Sequence, residues 1–134
     1  MSSIGAIALS GLSAASLRLD VAANNVANAY SSGPLPGSSA AGAYPAAYAA
    51  ERVAQTAGPA GGARASVAPE TPATVSAWQP DAPFADGHGQ VAMPNVDLAD
   101  QAVQLIMARI SLAANAQMLK ADAGMTRMAI DLMA

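Results

Sequence analysis

The last forty residues constrain this chain most. After Met93-Pro94-Asn95-Val96 no proline follows, and the text is dominated by Ala, Leu, Met, Gln, Arg and Lys, all strong helix formers. Leu98, Leu105, Leu112 and Leu119 recur at heptad spacing, with Ala102, Ala116 and Ala123 at the interleaved i+4 positions. One face is therefore expected to read leucine over alanine. A second apolar row runs beside it through Val103, Met107, Ile110, Ala114, Met118, Ala121, Met125, Met128 and Leu132. A helix with a single partner needs one such stripe. Two stripes predict a helix with neighbours on more than one side. A run from Val96 to Met133 would be roughly 57 Å long at 1.5 Å per residue.

The other end of the chain is also helical in pattern. From Ser3 to Asn28, Leu12, Leu19 and Val26 alternate with Leu9, Ser16 and Ala23. A row of small residues, Ala8, Ala15 and Ala22, runs alongside, with Gly11 nearby. Gly11 inside a helix costs about 1 kcal/mol relative to alanine, which close approach of another backbone would offset. Asn24, Asn25 and Asn28 mark the end of this helix. Asparagine bonds nearby backbone and tolerates left-handed geometry, so one would suffice as a cap. Three predict a polar surface that fixes register.

All nine prolines and eight of the eleven glycines lie between Ser31 and Pro94. No long helix survives such punctuation. Ser31–Ala43 reads as loop. Tyr48–Ala57 and Ala63–Val67 flank Gly58-Pro59-Ala60-Gly61-Gly62 and read as a hairpin, and Thr74–Trp78 as a short strand. The predicted class is mainly α: terminal helices paired as a coiled-coil hairpin, with a small irregular or β-hairpin insert. The segments are 1–30, 31–93 and 94–134, the two helices forming one domain.

Composition narrows the chemistry. Although 53% of residues are hydrophobic, only 4% are aromatic, and alanine supplies most of the rest. A core of such small side chains is thin. Six basic residues against nine acidic ones, a net charge of −3, leave no patch to track phosphates, so nucleic acid is not an expected partner. The chain contains no cysteine, which removes disulfides and thiolate chemistry. No run of 18 uninterrupted apolar residues occurs, which argues against a membrane span. The N-terminus lacks a basic region, and Arg18 and Asp20 precede any cleavage site, so it reads as retained sequence rather than a secretory signal.

Candidate catalytic groups are few. Asp81, Asp86 and His88 cluster in a Gly/Pro loop without the helix or strand spacing that pre-organises metal ligands. A solvated turn accounts for them. His88 is the only imidazole, and no serine sits in a nucleophile-elbow pattern. Gly61-Gly62 has no lysine after it and lacks phosphate-loop spacing. Asp97 and Asp100 sit where a helix N-terminus favours negative charge, so capping explains them. No enzyme, cofactor or metal is expected.

Several stretches go further. Ser10-Gly11-Leu12-Ser13-Ala14 and Arg18-Leu19-Asp20-Val21-Ala22-Ala23-Asn24-Asn25-Val26-Ala27-Asn28 resemble the N-terminal signature of the flagellar basal-body rod family. Val91-Ala92-Met93-Pro94-Asn95-Val96-Asp97-Leu98 is similar to the lead into the C-terminal helix of its short, proximal-rod members. Ala113-Ala114-Asn115-Ala116-Gln117-Met118-Leu119-Lys120 resembles the stretch within that helix, and Gln79–Asp86 is also similar. The chain departs from the family where Tyr30-Ser31-Ser32-Gly33-Pro34 replaces a Thr-Pro-Gly-Tyr text, and where Leu112 replaces an aromatic residue.

The resemblance implies a structural subunit of the rod, polymerising into a tubular drive shaft for motility. It implies neighbours among the other rod subunits and the membrane-ring adaptor, and export through the flagellar type III apparatus into the periplasmic space without signal cleavage. On this reading the assembly interface comprises Leu9, Gly11, Leu12, Leu19, Asn24, Asn25, Val26 and Asn28 at one end of the chain. At the other it comprises Pro94, Asn95, Val96, Asp97, Leu98, Leu105, Ile110, Leu112, Asn115 and Leu119. The residues alone also fit an Ala-rich secreted helical-hairpin interaction protein of another specialised secretion system.

Overall fold

The computed structural model describes residues 3–59 and 61–133. Met1, Ser2, Ala60 and Ala134, which fall in the expected segments, lie outside them. The order is α1 (Ser3–Asn28), β1 (Glu51–Ala57), β2 (Ala63–Pro69), β3 (Thr74–Trp78), β4 (Gln90–Pro94) and α2 (Leu98–Asp131). The two long helices hold 26 and 34 of the 134 residues, less than half of the chain. "Mainly α" therefore overstates the helix content. The Pro/Gly-rich middle carries more strand than expected, because Gln90–Pro94 extends as β4 and pairs antiparallel with β3, from Thr74↔Pro94 to Trp78↔Gln90.

The helices run antiparallel, and two contacts set their register. The Asn25 carboxamide donates to Gln101 Oε1 (3.1 Å), and Gly11 abuts Asn115. Both pairs are separated by fourteen residues on each helix, which is two heptads, so one seam links them. Along α2 the residues turned inward include Gln101, Leu105, Ala108, Leu112, Asn115, Leu119 and Asp122, with Gln104, Ser111 and Gly124 partly covered beside them. The leucine row is thus half of the seam, as its spacing indicates. The other half is the i+3 row of Gln101, Ala108, Asn115 and Asp122. Ala102, Ala116 and Ala123, expected beside the leucines, are exposed. An alternation of four and three residues admits either choice of second row, and small partners on α1 favour the row with larger polar side chains.

On α1 the seam is built from the small row. Ala8, Ala15 and Ala22 are buried, whereas Leu9 and Val26 remain about 40% exposed. Alanines are most of the buried apolar residues among those described, Ala108 among them with no exposed surface. Each contributes little buried area, so close backbone approach replaces bulk.

The β1–β2 hairpin lies along a different side of α1. Its seven-residue strands pair from Glu51↔Pro69 to Ala57↔Ala63. The turn seats on the N-terminal half of α1: Ser10 Oγ donates to Ile7 O (2.7 Å) and accepts the Ala63 N–H (3.0 Å). Gly61 and Gly62 both have φ near +84°, and a side chain at Gly62 would collide with Ser10 Oγ. At the other end Glu51 meets Asn25. The second sheet joins this frame through backbone bonds: Ala50 N–H and Asn95 N–H both donate to Ala73 O, and Gly33 pairs with Ala92 on the free edge of β4.

α2 begins at Leu98 rather than Val96. Pro94 ends β4, and Asp97, in extended conformation, accepts the N–H groups of Ala99 (2.8 Å) and Asp100 (3.3 Å). At 34 residues it spans about 51 Å, roughly 12 Å more than α1.

Candidate assembly interface

Asn25 is the polar centre of the structure. It is 2% exposed and uses its full hydrogen-bonding capacity. Its Nδ2 donates to Glu51 O (2.7 Å) and Gln101 Oε1 (3.1 Å), while its Oδ1 accepts Glu51 N–H (3.1 Å) and Tyr48 O–H (3.1 Å). The two bonds to Glu51 imitate strand pairing, so one side chain ties α1 to β1 and to α2. Burial, with the Glu51 carboxylate as the lesser cause, pushes the Tyr48 phenol above its ordinary pKa, which keeps it a donor. Of the three asparagines, only Asn25 holds register within the chain. Asn24 is exposed, and Asn28 Nδ2 donates back to Asn24 O (2.9 Å) as a helix-end bond.

The remaining expected interface residues divide into three sets. Gly11, Leu12, Leu19, Leu105, Leu112, Asn115 and Leu119 lie in or beside the intrachain seam. Pro94 is buried at the end of β4, Asn95 donates from Nδ2 to Pro72 O (3.0 Å), Val96 donates to Pro94 O (3.0 Å), and Asp97 caps α2. These residues aim α2. By contrast Leu9, Val26, Leu98 and Ile110 face outward.

Outward on α2 lies the second stripe. Val103, Met107, Ile110, Met118, Met125 and Met128 are 49–63% exposed, at the spacing read from the sequence. Ile106 is 59% exposed beside them. Gln101, Ala108, Tyr48 and Glu51 were not foreseen as contact residues. The heptad offset of Gln101 and Ala108 from Asn115 is the signal that could have found the first two.

By length and averaged composition both helices reach the range of membrane spans, although neither holds 18 uninterrupted apolar residues. Alanine raises the average without adding bulk. The Asp81–His88 loop is organised by its own backbone: Asp86 Oδ1 accepts the N–H groups of His88 and Gln90, both at 2.8 Å. Those bonds hold the Asp86 carboxyl below its ordinary pKa.

Comparison with known proteins places this arrangement. Residues 6–34, which cover most of α1 and its asparagines, match the family described as flagella basal body rod protein. Over 119 residues the chain is 39% identical to the flagellar basal-body rod protein FlgC of Yersinia enterocolitica, covering 84% of this chain and 83% of that relative. A structural rather than enzymatic role follows. The chain belongs to the flagellar basal-body rod protein family.

Proposed function

We propose that this rod subunit occupies the proximal rod and stacks through its terminal helices into a helical tube. The observation that carries the reading is the exposed heptad stripe on α2. Six large apolar side chains at knob-into-hole spacing keep about half or more of their surface exposed, and such spacing suits another helix. Residues 1–30 and 94–134 act as one assembly domain, and 31–93 as an insert that braces it. Head-to-tail contacts that do not close give a tube rather than a ring. The overhanging end of α2 supplies surface for the next subunit.

The other rod subunits and the membrane-ring adaptor are the proposed neighbours, with the rod in the periplasmic space. Delivery through the flagellar type III apparatus is part of the same proposal, and intact-mass measurement of the chain recovered from basal bodies tests whether it is cleaved.

Electron microscopy of basal bodies from a strain lacking the chain is the direct experiment. Rings without a rod are expected, with rods restored by the intact gene. Complete rods in that strain would overturn the assignment.

The hydropathy of both helices favours one other reading, a chain that enters or lies on a bilayer. Few Lys or Arg flank the apolar stripe, which weakens attraction to anionic lipid. Co-sedimentation of the purified chain with liposomes separates the two readings.

A further inference from the structure

The chain has no cysteine, so all of its sulfur is in seven methionines. Five of them, Met107, Met118, Met125, Met128 and Met133, lie in α2 or just beyond its end. Met107, Met118, Met125 and Met128 are 49–63% exposed. At 3.6 residues per turn these four fall within an arc of about 80°, and the first and last stand about 32 Å apart along the axis. The centre of that arc is about 130° round the helix from the seam.

The seam has no thioether. Its apolar members on α2 are Leu105, Ala108, Leu112 and Leu119, and α1 carries no methionine among its described residues. Met93 is half-buried in β4, where its sulfur accepts the Gln79 carboxamide N–H (3.5 Å). Oxidisable sulfur is thus gathered on the outward face of one helix and kept out of the contact that holds the two helices together.

Resting on the rod reading above, we infer that the outward methionines of α2 are a modification site for hydrogen peroxide, and that the sulfoxides formed there keep a folded chain out of the rod until they are reduced. Peroxide transfers one oxygen atom to Sδ: the S–O bond forms as the O–O bond breaks, the thioether gives up two electrons, and the other oxygen leaves as water. A methionine sulfoxide reductase reverses the step, two thiols becoming one disulfide while the oxygen leaves as water. The sulfoxide is a polar acceptor where the thioether was apolar. Ile110, Ala114 and Ala121, which share the stripe, offer no side-chain donor to satisfy it. In water the oxidised side chain is solvated and the chain stays folded. Against an apolar partner its oxygen loses that water with nothing in return.

Two measurements on the full chain test this. In the purified chain exposed to peroxide, residue-resolved mass spectrometry should find sulfoxide at Met107, Met118, Met125 and Met128 before Met93. Helical circular dichroism and the melting temperature should be retained. Unfolding on oxidation, or Met93 reacting first, would overturn the separation of stripe from seam. In a strain lacking the chain, expression is induced during sublethal peroxide exposure, and rod-incorporated chain is compared with unincorporated chain from the same cells. Sulfoxide at the four positions should be about tenfold depleted in the rods, since one unsatisfied buried acceptor is enough to change an equilibrium by that factor. Equal sulfoxide in the two pools would sink the proposal and leave the rod reading intact. A chain with leucine at all four positions, compared only with itself without peroxide, should incorporate equally with and without the oxidant. A fall as large as that of the wild type would assign the loss to another target. Complete rods in the uncomplemented strain would instead remove the rod reading.

Discussion

Gly11 on α1 presents its α-carbon directly to the Asn115 carboxamide on α2: a Cβ at position 11 would stand 2.5 Å from Oδ1 and 2.8 Å from Cγ. Asn115 cannot easily yield, because its Nδ2 donates to Ser111 O at 2.8 Å. Gly11→Ala should therefore lower stability by about 1 kcal/mol, overpacking of 1–3 kcal/mol being partly offset by the helix preference of alanine. Asn115→Ala in the same chain should recover it. Denaturant melts of the single and double variants form the cycle, and additive losses would show that the two residues do not touch.

Asn25→Ala removes four bonds and leaves the Glu51 amide, the Glu51 carbonyl, Tyr48 and Gln101 without their partner. A loss of about 2–4 kcal/mol is expected, since unsatisfied buried groups cost more than their bonds contribute. Asn25→Asp should be comparably damaging, because a carboxylate cannot donate to Glu51 O or Gln101 Oε1. Urea titration followed by circular dichroism measures both, and a stable Asp variant would contradict the donor assignment.

The two apolar rows of α2 should separate stability from assembly. Leu105→Asp puts a charge into the intrachain seam and should cost about 2–4 kcal/mol in the isolated chain. Ile110→Asp, on the outward stripe, should change the isolated chain by no more than about 0.5 kcal/mol, yet abolish incorporation into rods. Melting the purified proteins and counting rods in complemented cells distinguishes the effects. Normal motility with Ile110→Asp would remove the stripe from the interface.

Asp86 predicts an acid response in the Gln79–Gly89 loop. Its native pKa lies below the ordinary 3.8, so its contribution is fully present above that value. It declines as the pH falls further and the native carboxylate takes up its proton. Trp78, the single tryptophan, adjoins Gly89 and reports the change by fluorescence. Asp86→Asn keeps an acceptor for His88 and Gln90 but should flatten this part of the pH profile. A profile unchanged by the substitution would assign the response to another group.

Periodicity carries the helices because it records which side of each must leave water. Both ends of α1, the first hairpin and the span Thr74–Trp78 follow from residues alone. β4 does not, because Gln90–Pro94 is short, ends in proline and pairs with a strand twelve residues earlier, so nothing local marks it. The choice between Ala102 and Gln101 as seam neighbours of the leucines depends on the opposing helix, where Gly11 makes room for Asn115. Asn25 was legible as unusual among polar neighbours, but its bonds to Glu51 and Tyr48 depend on where the insert folds back.

The hairpin that lies beside α1 couples the lengths of two unlike elements. Ser10 and Asn25 are fifteen residues apart, about 22 Å of helix, and the hairpin they anchor, at Ala63 and Glu51, spans six residue steps of β1 from Glu51 to Ala57, about 20 Å. Lengthening α1 by one heptad adds about 10 Å, which the strand matches with three residues, an odd number that turns its inner side chains outward. Two heptads add about 21 Å and six strand residues about 20 Å, so both periodicities are kept. Viable length changes in this frame are therefore quantised: fourteen residues in α1, fourteen in α2 and six in each strand, gained or lost together.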